Sequence, residues 1–211
     1  MLDFDGKHLK DKLGGNNNAE AHGVTVIDDP DMGRSLKLEG GYIRIPYAED
    51  VAIDHDFSVQ ITMKSDKIQF YGALLSNYKN DDDGLLVDIE RSLRVIAPPD
   101  VPYFFSRTPI EPGKVYTVKL VVLPSAKKVQ LYLNGILDTE YPISRPFATT
   151  GGDLFIGARN EACDFAYSTV ISDIEILNLS KTVYPVAVDP DMANGSVTVE
   201  SGHAAEPGST V

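Results

Sequence analysis

Residues 129–139 read VQLYLNGILDT. Val129, Leu131 and Leu133 alternate with Gln130 and Tyr132, then Asn134 and Gly135 intervene, then Ile136 and Leu137 open a second apolar run. Alternation at period two marks a strand with one buried face, and Asn-Gly tolerates the positive φ angles of a type I′ turn. A two-residue loop sets Leu133 opposite Ile136 and Tyr132 opposite Leu137. The expectation is a hairpin with one face on a core and the other partly sheltered.

The same period runs outward from this hairpin in both directions. Leu36 and Leu38 alternate, and Tyr42, Ile43 and Ile45 follow after Gly40 and Gly41. Phe57, Val59, Ile61 and Met63 alternate in FSVQITMKS, and LLVDIE, SLRVIA, VYTVKLVVL, DLFIGA and STVISDIEIL continue the pattern. These are short β-branched and aromatic runs bounded by Gly, Pro, Asn and Asp. No longer window keeps a stripe at 3.6 residues, and YAEDVAIDH has room for one helical turn at most. About ten to thirteen strands with turn punctuation predict an all-β sandwich. Pro98, Pro99 and Pro102 interrupt the middle, and residues 14–23 (GGNNNAEAHG) read as an exposed loop. After Tyr184 the hydrophobic content thins. A domain over residues 1–180, a linker over 181–188 and the start of a second small β module over 189–211 are expected.

Composition narrows the function classes. The 211 residues suffice for one well-buried domain, and 19 Lys and Arg against 31 Asp and Glu leave a formal charge of −12. That balance argues against a nucleic-acid partner, whose affinity comes from clustered Lys and Arg, and against anionic membranes. No run of about 18 apolar residues is present to span a bilayer. The N-terminal MLDFDGKHLKDKLGG is too polar for a secretory signal. A single cysteine, Cys163, forbids an internal disulfide and reads as a buried thiol.

Residues 115–135 (VYTVKLVVLPSAKKVQLYLNG), then GGDLFIGAR at 151–159 and ISDIEILN at 171–178, resemble the laminin-G-like jelly rolls of the concanavalin A-like lectin/glucanase group. Tyr132, Asn134 and Gly135 match that family's Tyr-x-Asn-Gly turn. Leu154 with Phe155, Ile156 and Gly157 matches its next strand, and Ile171, Asp173 and Asn178 match its closing strand. GRSLKLEGGYIRIP, DFSVQITMKSD and the opening LDFDG fit upstream, so the likeness spans about residues 2–180. The family's usual Trp is absent, Ser172 replaces an Asp of the closing pair, and Thr169 stands where a Gly is expected. The resemblance implies a two-sheet antiparallel jelly-roll sandwich of concanavalin A-like type. It also implies structural calcium near the opening and closing strands, with Asp5 and Asp173 as ligands. NGSVTVESGHAAEPGST at 194–210 is similar to the opening of bacterial internalin-type B-repeats, which implies a multidomain surface or secreted protein.

Glucan hydrolases on this architecture need paired carboxylates on one strand face. Asp88 with Glu90 and Asp173 with Glu175 stand two residues apart, but each pair lacks a third acid. The four histidines (His8, His22, His55, His203) have no ligand spacing and read as exposed loop residues. In NYKNDDDGLLVDIE, Asp81, Asp83, Gly84 and Glu90 fall at EF-hand positions, but the first ligand place is Lys79, which cannot hold calcium. A looser calcium site on Asp81, Asp82 or Asp83, or a solvated turn, remains open. Carbohydrate recognition stacks sugar faces on exposed aromatics and reads hydroxyls with amides and charges. The candidates are Phe70, Tyr71 and Tyr78, and Tyr103, Phe104 and Phe105 of YFF, with Asn77, Asn80 and Arg107 as polar partners.

The expected protein is a non-catalytic glycan-binding or adhesion module, extracellular or on the cell surface. Its partners would be a glycan or matrix ligand and the neighbouring domains of its own chain, with no cofactor beyond structural calcium. A spacer or protein-interaction domain is the alternative, and a glycoside hydrolase the third reading.

Overall fold

The computed structural model describes residues 2–4, 8–11, 19–48, 55–78, 84–97, 101–144 and 152–179. The linker and second module expected beyond residue 180, and most of the segment 47–55, lie outside them. Fourteen strands form: β1 (Leu2–Phe4), β2 (His8–Asp11), β3 (Ala19–Asp29), β4 (Gly33–Ile45), β5 (Phe57–Lys64), β6 (Gly72–Ser76) and β7 (Leu86–Ile89). β8 (Ser92–Ala97), β9 (Val101–Pro109), β10 (Val115–Leu123), β11 (Lys128–Leu133), β12 (Ile136–Pro142), β13 (Leu154–Ile156) and β14 (Thr169–Asn178) complete the set. The count exceeds the expectation because elements such as β2, with four residues, are too short to register as a period.

All pairings are antiparallel, and the hydrogen-bonded order is β12-β11-β10-β5-β14-β4-β13-β6-β7-β8-β9. The path is continuous because β4 belongs to both layers of the sandwich. Its first half pairs with β14 through Leu36 to Leu38, and its second half pairs with β13 through Ile43 to Ile45. The turn between the halves requires Gly41. A Cβ there would lie 2.2 Å from the His22 carbonyl oxygen and 2.4 Å from that of Gly23 on β3. The two backbones touch where β3 bulges between His22 and Val24.

One core fills the space between the layers. Val59, Ile61 and Met63 of β5, Val118 and Leu120 of β10 and Leu131 of β11 meet Val87 and Ile89 of β7 and Leu93 and Val95 of β8. The alternation read from the sequence is the inward face of each strand: β10 and β11 bury every second residue. The hairpin has the expected register, with Leu133 opposite Ile136 and Tyr132 opposite Leu137, and Asn134 and Gly135 have φ of 52° and 79°. Leu133 is buried, but Ile136 is 74 % exposed, because β12 is an edge strand and the hairpin tip passes beyond its cover.

Three local expectations need correction. Residues 19–23, expected in a loop, begin β3, where Ala19 is buried and Glu20, Ala21 and His22 pair with Arg44, Ile43 and Tyr42. Small and charged residues carry too little apolar signal to reveal a strand whose partner is supplied by β4. His22 is therefore not a loop residue; its ring stacks on Tyr42 at 4.7 Å and meets Glu20 Oε2 at 3.3 Å. Cys163 is half-buried in the 157–168 loop with φ of 60° and is not part of the core.

Two polar links tie the strand ends. Lys64 Nζ, almost fully buried, donates to Asp29 Oδ1 at 2.6 Å and to Asp31 Oδ2 at 3.0 Å, joining the β3–β4 turn to β5. At the opposite side the Asp138 carboxylate of β12 accepts the backbone N–H groups of Arg107 (2.6 Å) and Thr108 (2.9 Å) on β9. One carboxylate thus bridges the outermost strands of the two layers.

Candidate functional site: an aromatic row on one sheet face

β7 and β8 put their odd-numbered residues into the core and β9 its even-numbered Phe104, so Asp88 and Arg94, and Tyr103 and Phe105, turn to the opposite face. Register places Asp88 directly opposite Arg94, and Arg94 directly opposite Phe105. Asp88 is 1 % exposed and accepts two hydrogen bonds from Arg94, from Nε at 2.9 Å and Nη2 at 2.6 Å. That fork fixes the guanidinium plane. The held guanidinium lies 4.7 Å from the centroid of the Tyr71 ring, a cation–π contact. The carboxylate beside it raises the Arg94 pKa above its ordinary value, so the cation is permanent.

On the other side of Arg94, Phe105 meets Tyr103 edge to face, with centroids 5.6 Å apart. The face therefore presents, in order, Tyr71, Arg94, Phe105 and Tyr103. Tyr71, Phe105 and Tyr103 are 41, 39 and 57 % exposed, and Phe70 beside them 58 %. An aromatic cluster left in water on a sheet that already buries its other face points to a binding role. Tyr71 adds a second sign. Its φ of 62° is a left-handed conformation costly for a bulky aromatic residue, held by its N–H donating to the Ile89 carbonyl at 2.7 Å.

The other candidates distribute differently. Phe104 is buried and stacks on Tyr141 at 5.1 Å, so it is a core residue; Phe105 takes the outward place. Asn77 is also buried, and its amide oxygen accepts the Leu85 N–H at 2.7 Å, which closes the loop between β6 and β7. Tyr78 lies under the Arg159 guanidinium at 4.3 Å, with Phe165 at 5.6 Å from the same group. Arg107 is exposed near the row, while its backbone is held by Asp138. Asn80 lies outside the described residues. The sequence missed Arg94 as a site residue and did not separate an outward Phe105 from an inward Phe104. The signal was present for Phe105, since an outward Tyr103 on a strand implies an inward residue 104 and an outward residue 105. For Arg94 only the register across three strands could reveal it.

Asp88 and Glu90 do not form a free carboxylate pair, because Asp88 is committed to Arg94 and Glu90 follows the end of β7 in a turn, its N–H donating to Ser92. Asp173 faces outward opposite Thr62. Calcium takes about 6–8 oxygen ligands, and no group of three or more acidic, His or Cys side chains occurs among the described residues. Asp173 alone does not fit a calcium centre, and Asp5, Asp81 and Asp83 lie outside the described residues.

No family model matches the chain, and no curated protein does. Among solved structures, the chain is similar to domain 4 of AbnA, an extracellular arabinanase from Geobacillus stearothermophilus solved with arabinotriose. That match has a TM-score of 0.62 at 16 % identity and covers 79 % of this chain and 85 % of that one. The binding domain of botulinum neurotoxin DC, solved with SialylT, matches with a TM-score of 0.60 at 14 % identity over 80 % of this chain. Trypanosoma rangeli sialidase with the inhibitor DANA matches with a TM-score of 0.60 at 14 % identity over 83 %. The chain spans 45 % of the neurotoxin domain and 29 % of the sialidase. At such identities the likeness establishes the fold alone: an antiparallel β-sandwich. No helix among the described residues is long and apolar enough to cross a membrane.

Proposed function

We propose that this domain binds a glycan on the face formed by Tyr71, Arg94, Phe105 and Tyr103, without catalysing its cleavage. The single observation that carries this reading is the aromatic row itself, with a permanently charged guanidinium fixed between exposed rings. A sugar ring presents an apolar face to aromatic carbons while its hydroxyls take hydrogen bonds from fixed donors, and this row offers both. Solved sandwiches of the same fold, among them one bound to arabinotriose, support the ligand class by analogy. The ion pair of Asp88 supports the non-catalytic part, since that acid is not free to protonate a leaving group or attack a sugar. A laminin-G-like module of an extracellular, multidomain bacterial protein remains the context we propose for it, on the motifs around Tyr132, Asn134 and Gly135.

The test is a glycan array on the whole chain followed by calorimetry with the best ligand. Tyr71→Ala and Tyr103→Ala should each weaken binding about tenfold, the worth of one lost stacking contact. A chain that binds no glycan would favour the spacer reading, and one that turns over its ligand would favour a hydrolase.

A further inference from the structure

The opposite layer carries a second, chemically different concavity. On β5, β10 and β11 the residues that point away from the core are Ser58, Gln60 and Thr62, Thr117, Lys119 and Val121, and Gln130 and Tyr132. Register sets Gln60 opposite Lys119 and Lys119 opposite Tyr132, so an amide, an ammonium and a phenol form one row across three strands. A groove of about 400 Å³ runs over this row, from Leu179 at one end to Gly135 of the hairpin tip at the other. Its axis follows the strands, and Thr117 to Val121 alone spans ~13 Å.

Lys119 is the single charged residue of the lining, in a chain whose formal charge is −12. Neither the Lys119 nor the Gln60 side chain has a hydrogen-bond or ion-pair partner among the described residues. The acids nearby are engaged or distant. Glu140 is held by Gln130 at 2.7 Å and Lys128 at 3.1 Å, and Glu175 sits opposite Gln60, two strands or roughly 9–10 Å from Lys119. The Tyr132 hydroxyl donates to the Gln130 amide oxygen at 3.2 Å, which ties the two side chains together along the groove.

We propose that this groove is a separate binding site for a carboxylate-bearing oligosaccharide. The sugar carboxylate pairs with Lys119, hydroxyls bond to Gln60 and Thr117, and a sugar face rests on Tyr132. Charge complementarity selects the occupant: a half-buried, unpartnered ammonium among amides and hydroxyls accepts one anionic group per site and hydroxyls around it. The groove lies on the other layer from the aromatic row and does not depend on it.

Calorimetry of the whole chain with trigalacturonate and its fully methyl-esterified form, and with sialyllactose and lactose, tests the proposal and separates a uronate from a sialic acid source. At least one acid should bind about tenfold tighter than its neutral counterpart. Lys119→Gln should erase that preference, Lys119→Arg should retain it, and Gln60→Ala should weaken binding severalfold. Tyr103→Ala should leave it unchanged. Equal affinity for acid and neutral forms, an acid preference that survives Lys119→Gln, or one lost in Tyr103→Ala would overturn the assignment. Lys119 and Gln60 both point away from the core, so unchanged melting temperatures of the variants confirm that folding is not what is being read.

Discussion

The guanidinium of Arg94 is gripped by Asp88 on the neighbouring strand, and the acid beneath it is almost completely hidden from water. Removing only the arginine strands a buried charge. Arg94→Ala should cost about 3–5 kcal/mol of unfolding free energy in urea melts, whereas the double variant Asp88→Leu/Arg94→Leu should recover most of it. Glycan affinity should stay low in both, because both lose the cation beside Tyr71. Equal stability of the single and double variants would show that the pair is not what holds this face.

The bridge at Asp138 makes stability depend on acid. Burial raises its pKa, but hydrogen bonds from Thr108, from the Thr139 hydroxyl and from the backbone of Arg107 outweigh burial and hold the carboxyl below its ordinary 3.8. A carboxyl depressed in the folded state adds stability that is complete above the unfolded value and is lost as pH falls through the folded one. Lys64, by hydrogen bonding, depresses Asp29 in the same direction. Thermal melts should therefore fall steeply below about pH 4, and Asp138→Asn should flatten that fall while lowering stability at pH 7. A variant with the wild-type acid limb would remove Asp138 from this account.

Gly41 is the point where β4 passes from one layer to the other. Any side chain there meets two carbonyl oxygens of β3 that cannot rotate away. Gly41→Ala should destabilise by about 3 kcal/mol or more and should expose the β3–β4 amides first in hydrogen exchange. Gly33→Ala, whose Cβ meets nothing within 4 Å, serves as a control: only its left-handed φ of 70° is strained, so it should cost about 1–2 kcal/mol.

Asn134 does more than turn the chain. Its backbone N–H donates to the Thr117 carbonyl at 2.8 Å, and its side-chain oxygen accepts the Thr117 N–H at 2.9 Å. Asn134→Gly keeps the positive φ and loses the side-chain bond, so about 1 kcal/mol should go. Asn134→Ala loses both and should cost about 2–3 kcal/mol in the same melts. Equal costs would mean that the turn conformation contributes nothing here.

Much of this architecture is legible without coordinates, for local reasons. The alternation of Val129, Leu131 and Leu133 records which face of β11 is dry, and Asn-Gly chemistry dictates the turn that follows. β3 is less legible. Ala19, Ala21 and His22 look like loop, because what orders them is the backbone of β4 about twenty residues ahead rather than any preference of their own. For the aromatic row, Tyr71 and Tyr103 stand out by residue type. Phe104 and Phe105 do not, since composition is blind to which neighbour faces the core.

Sequence alone thus determined that this chain builds antiparallel strands, where its tightest hairpin turns and that its charge disfavours a nucleic-acid partner, since each rests on contacts within a few residues or on a sum over the chain. Tertiary structure decided that Arg94 stands between Tyr71 and Phe105, that Asp88 is an anchor and that the Lys119 ammonium has no partner among the described residues. Those facts depend on the register between strands, where a slip of one residue would turn every side chain to the other face.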